Sequence, residues 1–456
     1  MDMKIKLNYG REYQTFEGFG SSGAWWAQEV GGWEHIDAES NMPVRDRISQ
    51  LLFSKTEGIG LRTYRYNLGA GSKESGKGEF CEKLRRAECF ETAAGEYDFG
   101  KDKNAVYMLR QAVKDGADEV VFFVNSPIER LTESGLAHGT KDFHNNLPKE
   151  NYQAFAKYVL DVTEHFVSEG LPIKYISPIN EPLWKWTGGQ EGCHYKPGSC
   201  AKVLKVFADE MAQRKTLDGV LLSGLENGDI RWFNKSYTRS LMKYKSVRNR
   251  IDGVDLHSYF LNPVNLPFLG RTDYLKRYRK WLDRHYPGIP VKMSEWTHMQ
   301  GGRDKGMDSA LVAAKTMYED ISILNVVSWQ HWIAVSEVDY CDGLIYINLH
   351  DRSFEMTKRY YVTGNFSKYI PYGAVRFEAG ADDSDLRSLG FKKDDSVILI
   401  AINETQTEKE LTVPVHSLIA VTDEKDDLRE YKTETGRVII TPRSVTTVVF
   451  KKGEET

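Results

Sequence analysis

The stretch Ile176-Ser177-Pro178-Ile179-Asn180-Glu181-Pro182 decides how the chain is read. Upstream, Leu171 to Ile176 has the pattern of a short buried strand. Pro182 cannot continue a central ladder, so the strand stops and Glu181 stands at its C-terminal lip. A carboxyl at the lip of a parallel strand, next to an amide able to bond a substrate hydroxyl, is placed for proton transfer. Taken alone, Asn-Glu-Pro is equally compatible with a solvated turn, so its surroundings have to decide.

Working outward, the same strand-then-helix rhythm recurs. Strand patterns fall near residues 16, 62, 121, 175, 222, 256, 293 and 328. The run Val120-Val121-Phe122-Phe123-Val124 is apolar throughout, as in a strand covered on both faces. Helical apolar spacing separates the strands over Pro43 to Phe53, Lys103 to Asp115, Asn151 to Ser168, Cys200 to Gln213, Ser236 to Lys245, Thr272 to His285 and Ser309 to Leu324. Eight such alternations predict an α/β fold, a (β/α)8 TIM barrel, with an open doubly wound sheet as the alternative. Beyond Pro371 the period changes to short alternating segments about ten residues apart, which predicts an appended all-β sandwich domain. The expected organisation is N-terminal strands over 1–13 joining the sandwich, a catalytic barrel over 14–362 and a C-terminal β-sandwich over 363–456.

Composition narrows the function. The 456 residues carry a formal net charge of −4, which gives no electrostatic case for nucleic acid or an anionic membrane surface. No apolar run is long enough to span a membrane. Aromatics are numerous, with 10 Trp, 24 Tyr and 20 Phe, as expected where flat sugar faces are stacked as well as where a large core is filled. The five cysteines are an odd number without a Cys-x-x-Cys pair, and Cys193-His194 with Cys200 lacks a fourth metal ligand. Free thiols and a start with no apolar leader predict a cytoplasmic protein, or a secreted one if a leader was removed. No metal and no cofactor are expected. The near phosphate loop Gly71-Ser72-Lys73-Glu74-Ser75-Gly76-Lys77-Gly78 ends in Gly where the magnesium-binding hydroxyl would stand, and reads as a solvated loop.

In a barrel of this kind all strand C-termini meet at one mouth. The expected mouth residues are Trp25 and Trp26, Arg65 and Asn67, Asn125 and Ser126, Asn180 and Glu181, His257 and Tyr259, Glu295 and Trp296, and Trp329 and Trp332. Two carboxylates on the fourth and seventh strands stand across from each other. Opposed carboxylates among aromatics and amides are the equipment for hydrolysing a glycosidic bond. One gives a proton to the leaving oxygen; the other, kept ionised by a neighbour such as Arg65, attacks the anomeric carbon or steers water. Tyr259 is expected to hydrogen-bond that nucleophile and Asn180 the sugar 2-hydroxyl.

With these residues in hand, the chain resembles glycoside hydrolase family 30 of the clan of (β/α)8 retaining β-glycosidases. The resemblance rests on Gln14-Thr15-Phe16-Glu17-Gly18-Phe19-Gly20-Ser21-Ser22-Gly23-Ala24, Asn180-Glu181-Pro182, His257-Ser258-Tyr259, Ser294-Glu295, Trp332, and the exit segment Tyr360 to Pro371. It implies Glu181 as acid/base and Glu295 as nucleophile, with retention of configuration. It also implies substrate contacts from Trp25, Trp26, Arg65, Asn125, Asn180, His257, Tyr259, Trp296, Trp329 and Trp332. The partner is a carbohydrate, with no protein partner implied. Members of the family act on glucosylceramide, xylan, β-1,6-glucan, β-1,6-galactan or small glycosides. The Trp25-Trp26 pair and Trp329-Gln330 are more similar to the β-1,6-galactanase and β-1,6-glucanase branches, with a xylanase or β-xylosidase as the alternative. A non-catalytic carbohydrate-binding protein is the alternative from another class, disfavoured because both carboxylates are present.

Overall fold

The computed structural model describes residues 5–231, 234–259, 270–381 and 385–453. Eight parallel strands follow in order: Gly18–Ser22, Thr63–Asn67, Glu119–Phe123, Ile173–Ser177, Leu221–Leu222, Val254–His257, Val291–Trp296 and Val326–Ser336. Each pairs with its successor except the fifth and sixth, which meet through the Asn227–Leu256 bridge, and the eighth pairs with the first. The sheet therefore closes into a barrel. The helices between the strands include Lys103–Asp115, Tyr152–Ser168, Pro197–Met211 and Arg271–His285. Each presents an apolar stripe to the barrel wall, as Phe155, Val159, Val162 and Phe166 do on the second of these.

Along each strand, side chains alternate between the barrel lumen and the helix layer. The lumen is polar: Arg65, Glu119, Tyr175, Asp255, Lys292, Ser294 and Gln330 share one interior space. The same parity sends Trp332 toward the mouth and Trp329 outward. The seventh strand breaks the alternation. Met293 pairs with Leu256 and Glu295 with His257, so two residues of the seventh strand oppose one step of the sixth. This bulge turns Glu295 into the mouth directly after the lumen-facing Ser294.

The second unit is a seven-stranded antiparallel sheet. Its order is Ile5–Phe16, Ala374–Ala381, Leu386–Lys393, Ser396–Asn403, Ser444–Lys451, Leu418–Thr422 and Arg429–Lys432. The N-terminal segment lies at its edge as one strand, with Thr15 opposite Val375 and Phe16 opposite Ala374. A two-stranded sheet, Lys409–Thr412 with Arg437–Ile440, supplies the second layer. Strand Ser396–Asn403 shows the division of labour. Val397, Leu399 and Ala401 pack with Leu411 and Val438 of that layer, whereas Ile398, Ile400 and Ile402 join the core shared with the barrel.

The two units meet tightly. Phe16 lies 4.9 Å from Phe19 and 5.6 Å from Phe391, ring to ring. The helix Lys358–Ser367 spans the 362/363 point and bonds the sheet through Asn365, whose Nδ2 donates to Ala420 O at 3.0 Å. Five described strands lie outside the sequence reading: the hairpin Glu91–Ala93 with Glu96–Tyr97, Gly343–Ile347 and Phe354–Met356, which extend the barrel sheet beside the eighth strand, and Arg429–Lys432 at the far sheet edge. Gly343–Ile347 is a short run buried throughout, and the other four are two to four residues long, so none shows a clean alternation. The sequence pattern of the sixth strand runs from Gly253 to Phe260; Phe260 lies outside the described residues, and the strand as described runs Val254–His257.

Candidate active site

A cavity of about 570 Å³ opens at the C-terminal ends of the strands. Its floor holds Asn180, Glu181, Tyr259, Glu295 and Trp332, with Trp25, Trp184 and Trp186 in its walls. The strand ends around it carry unusual backbone: Trp25, Glu181, Leu225 and Glu226 all have positive φ. Non-glycine residues hold that conformation only where their surroundings fix them, and such positions concentrate at functional sites. Glu181 N donates to Glu226 O at 3.0 Å, which ties the end of the fourth strand to that of the fifth.

Six ionisable side chains form one buried cluster. Arg65, fully buried on the second strand, donates from Nη1 to Glu295 Oε2 at 3.0 Å and from Nη2 to Glu226 Oε2. Its guanidinium lies 4.3 Å from the centre of the Phe123 ring. His257 reaches Glu181 Oε1 at 2.8 Å and Glu295 Oε1 at 3.4 Å through Nδ1, and Glu226 Oε2 at 3.2 Å through Nε2. Tyr259 donates its hydroxyl to Glu295 Oε1 at 3.1 Å. One oxygen of Glu181 and one of Glu295 lie within 4.8 Å of each other and of His257. That closeness belongs to retaining double displacement and not to inversion, which needs about 6.5–9.5 Å for an intervening water.

Charge follows from the packing. Burial disfavours the His257 cation, but Glu295, Glu181 and Glu226 outweigh it and push the ring up to about 10, so the imidazolium is the resting form and both ring nitrogens donate. Burial raises Glu226, but Arg65 and His257 overcome it and hold its carboxyl below the ordinary glutamate value. Glu295 differs from expectation. Burial pushes its carboxyl above the usual value, with His257 and Arg65 pulling down and Glu181 and Glu226 pushing up. Arg65 does not secure Glu295 alone, because its charge is divided with Glu226. Two cations thus face three carboxyls in one buried space.

The remaining expected residues divide into two groups. Asn180 Nδ2 donates to Asn125 Oδ1 at 3.0 Å, and Asn125 in turn donates to Asn67 Oδ1 at 3.2 Å. Asn125 thus orients Asn180, whose Oδ1 is buried without a partner among the described residues. Trp25 and Trp332 meet edge to face at 5.1 Å in the cavity lining. Trp26, Trp296 and Trp329 are not in that lining. Trp26 is fully buried and donates Nε1 to Ser22 O at 2.9 Å, filling the core behind the first strand. Trp329 faces outward by strand parity and donates Nε1 to Asp320 Oδ2 at 3.0 Å. Trp296, following the bulge, packs against Trp329 at 5.7 Å. All three are structural, which corrects the expectation that they contact substrate.

Glu226, Trp184 and Trp186 stand outside the expected mouth residues. Glu226 stands at the end of the fifth strand in Leu225-Glu226-Asn227-Gly228, the one strand end for which no mouth residue was named. An acid before an Asn-Gly turn was the available signal. Trp184 and Trp186 follow the Asn-Glu-Pro motif within four residues and line the cavity.

A closed barrel fused to an antiparallel sheet, holding two carboxyls at the retaining distance among donors and indoles, defines a retaining glycoside hydrolase. The family model for O-glycosyl hydrolase family 30 matches residues 2–241 and 291–346, well over half of the chain, and the chain belongs to that family. An endo-β-1,6-galactanase from Hypocrea rufa is 23% identical over 422 residues, 83% of this chain and 79% of the relative. A conserved exported protein from Bacteroides fragilis shares the fold with a TM-score of 0.85 at 21% identity, covering 99% of this chain and 100% of that one. An endo-β-1,6-glucanase does so with a TM-score of 0.72 at 17% identity, covering 98% of this chain and 94% of that one.

Proposed function

We propose that the enzyme cleaves β-1,6-linked galactan-type saccharides, with Glu295 as nucleophile and Glu181 as acid and then base. In the first step a Glu295 oxygen attacks the anomeric carbon while Glu181 protonates the leaving oxygen, giving a glycosyl-enzyme and a free saccharide. In the second step the Glu181 carboxylate takes a proton from water, which attacks the same carbon and releases the sugar with its original configuration. Arg65 and Tyr259 bond the two Glu295 oxygens, so the nucleophile is oriented before substrate arrives. Asn180 lines the cavity beside Glu181 and is assigned a hydrogen bond to a substrate hydroxyl. The observation that carries these roles is the approach of the two carboxyls within 4.8 Å, with both oxygens of Glu295 held by donors. The linkage is supported by the Hypocrea rufa relative. All five cysteines are free thiols, which supports a reducing, cytoplasmic setting as part of this proposal.

Glu295→Ala tests the roles. Turnover of aryl β-glycosides should fall by about 10⁴-fold or more, and added azide should restore it with an inverted glycosyl azide as product. Undiminished turnover would remove the assignment. A panel of β-1,6-galacto-, β-1,6-gluco- and β-1,4-xylo-oligosaccharides tests the substrate, and preferential cleavage of the xylo series would overturn the β-1,6 reading.

A further inference from the structure

We propose that Trp184 and Trp186 form a stacking platform for the first sugar of the leaving group, so that efficient cleavage requires a saccharide beyond the scissile bond. The inference rests on Glu181 as proton donor. The leaving oxygen is then the atom Glu181 protonates, and the sugar attached to it must lie against whatever surrounds that carboxyl.

Both tryptophans are fastened to Glu181 itself. Trp186 donates Nε1 to Glu181 O at 2.9 Å, and Trp184 N donates to the same oxygen at 3.3 Å. A Cβ built on Gly228 would fall 2.5 Å from Glu181 Oε1 and 2.5 Å from Trp184 Nε1, so the two atoms lie no more than 5 Å apart. Only glycine at 228 leaves room for this close approach.

Neither ring is spent on the core. Trp26 is fully buried, whereas Trp184 and Trp186 are each half-buried and line the cavity. Trp186 is also held against rearrangement. Its φ is +49°, Gly139 N donates to its carbonyl at 2.7 Å, and its indole lies so close over Gly192 that a Cβ there would come within 2.4 Å of Cδ2. A rigid, part-exposed indole beside a proton donor presents an apolar face where a pyranose ring can stack. Because that face is set before binding, little conformational freedom is lost when it is used.

The test compares two probes that share a glycone. One is the tetrasaccharide, the other the disaccharyl fluoride, whose leaving group carries no sugar. Both are assayed in the β-1,6-galacto, β-1,6-gluco and β-1,4-xylo series, using whichever series the wild type cleaves. For Trp186→Ala and Trp184→Ala, kcat/KM on the tetrasaccharide should fall about tenfold or more while the fluoride changes less than about twofold. Trp186→Phe should recover part of the loss. The same platform would receive an acceptor sugar in the second step, so Trp186→Ala should also lower the ratio of transfer to hydrolysis when fluoride is the donor. Equal losses on both probes would assign the tryptophans a merely structural role and overturn the proposal, as would no loss on either. Activity on the fluoride reports that each variant is folded. A wild type that cleaves no tetrasaccharide but hydrolyses a fluoride would overturn the platform while leaving Glu181 and Glu295 in place. Turnover of neither probe in any series would overturn the underlying roles.

Discussion

Glu226 places one carboxylate oxygen between both cations of the site, accepting from Arg65 and from His257. It is a positioning residue, since it is fully buried and acts on the reacting carboxyls through its partners. Its negative charge raises both Glu295 and His257. Glu226→Gln should therefore move the acidic limb of the pH profile of kcat/KM downward, besides lowering kcat, and full profiles on an aryl glycoside check this. A loss of rate with an unmoved profile would leave Glu226 a packing role only. In the wild type, the acidic limb should lie above the ordinary glutamate value of 4.5, because Glu295 must be ionised to attack. His257 gives a second pH dependence. Its folded pKa of about 10 exceeds the ordinary 6.5, so its charged form stabilises the fold fully below about 6.5, and that contribution is lost as pH rises toward 10. The Tm of the wild type should fall between pH 7 and 10 relative to that of His257→Gln, and parallel curves would contradict the imidazolium assignment.

At the scale of elements, the seventh strand matters most. Strict alternation from Lys292 and Ser294 would send Glu295 outward, and the bulge between Met293 and Glu295 reverses this at the mouth. Strand Ser396–Asn403 shows the opposite case, where regular alternation serves two cores at once. Ile400, fully buried on the barrel-facing side, carries part of that junction. Ile400→Ala should cost about 2–5 kcal/mol. Because the barrel and the sheet share this core, chemical denaturation followed by tryptophan fluorescence should report the loss in one transition. A variant that melts the sheet while the barrel signal persists would show the two to be independent.

Over the whole molecule, the chain crosses between units twice. It begins as an edge strand of the antiparallel sheet, builds the barrel, and returns through the helix Lys358–Ser367. Phe19 and Phe366 face each other at 6.0 Å on the barrel side of the junction, and Thr447 Oγ1 donates back to Asn365 O at 2.7 Å. Ending the chain after Pro371 would strip Ile5–Phe16 of its strand partner and expose Phe16, Phe366 and Ile370. Such a chain should be insoluble or lack a cooperative melt, and the full chain should unfold in a single calorimetric transition. Two well-separated transitions, or a truncated barrel that melts cooperatively, would contradict this.

What the sequence determined by itself was the order and type of elements, because period, helix stops and prolines are local features. The eight-strand rhythm, the change of period beyond Pro371, and the carboxyls at the ends of the fourth and seventh strands could all be read from neighbouring residues. Only tertiary structure decided which side chains share a space. Three of the expected tryptophans turned out to be structural because a strand end does not announce which face a ring takes. Glu226 joined the cluster because the fifth strand brings it under Arg65, a residue 161 positions away. The charge state of Glu295 was likewise beyond the sequence, since it depends on how one buried guanidinium is divided between two carboxylates.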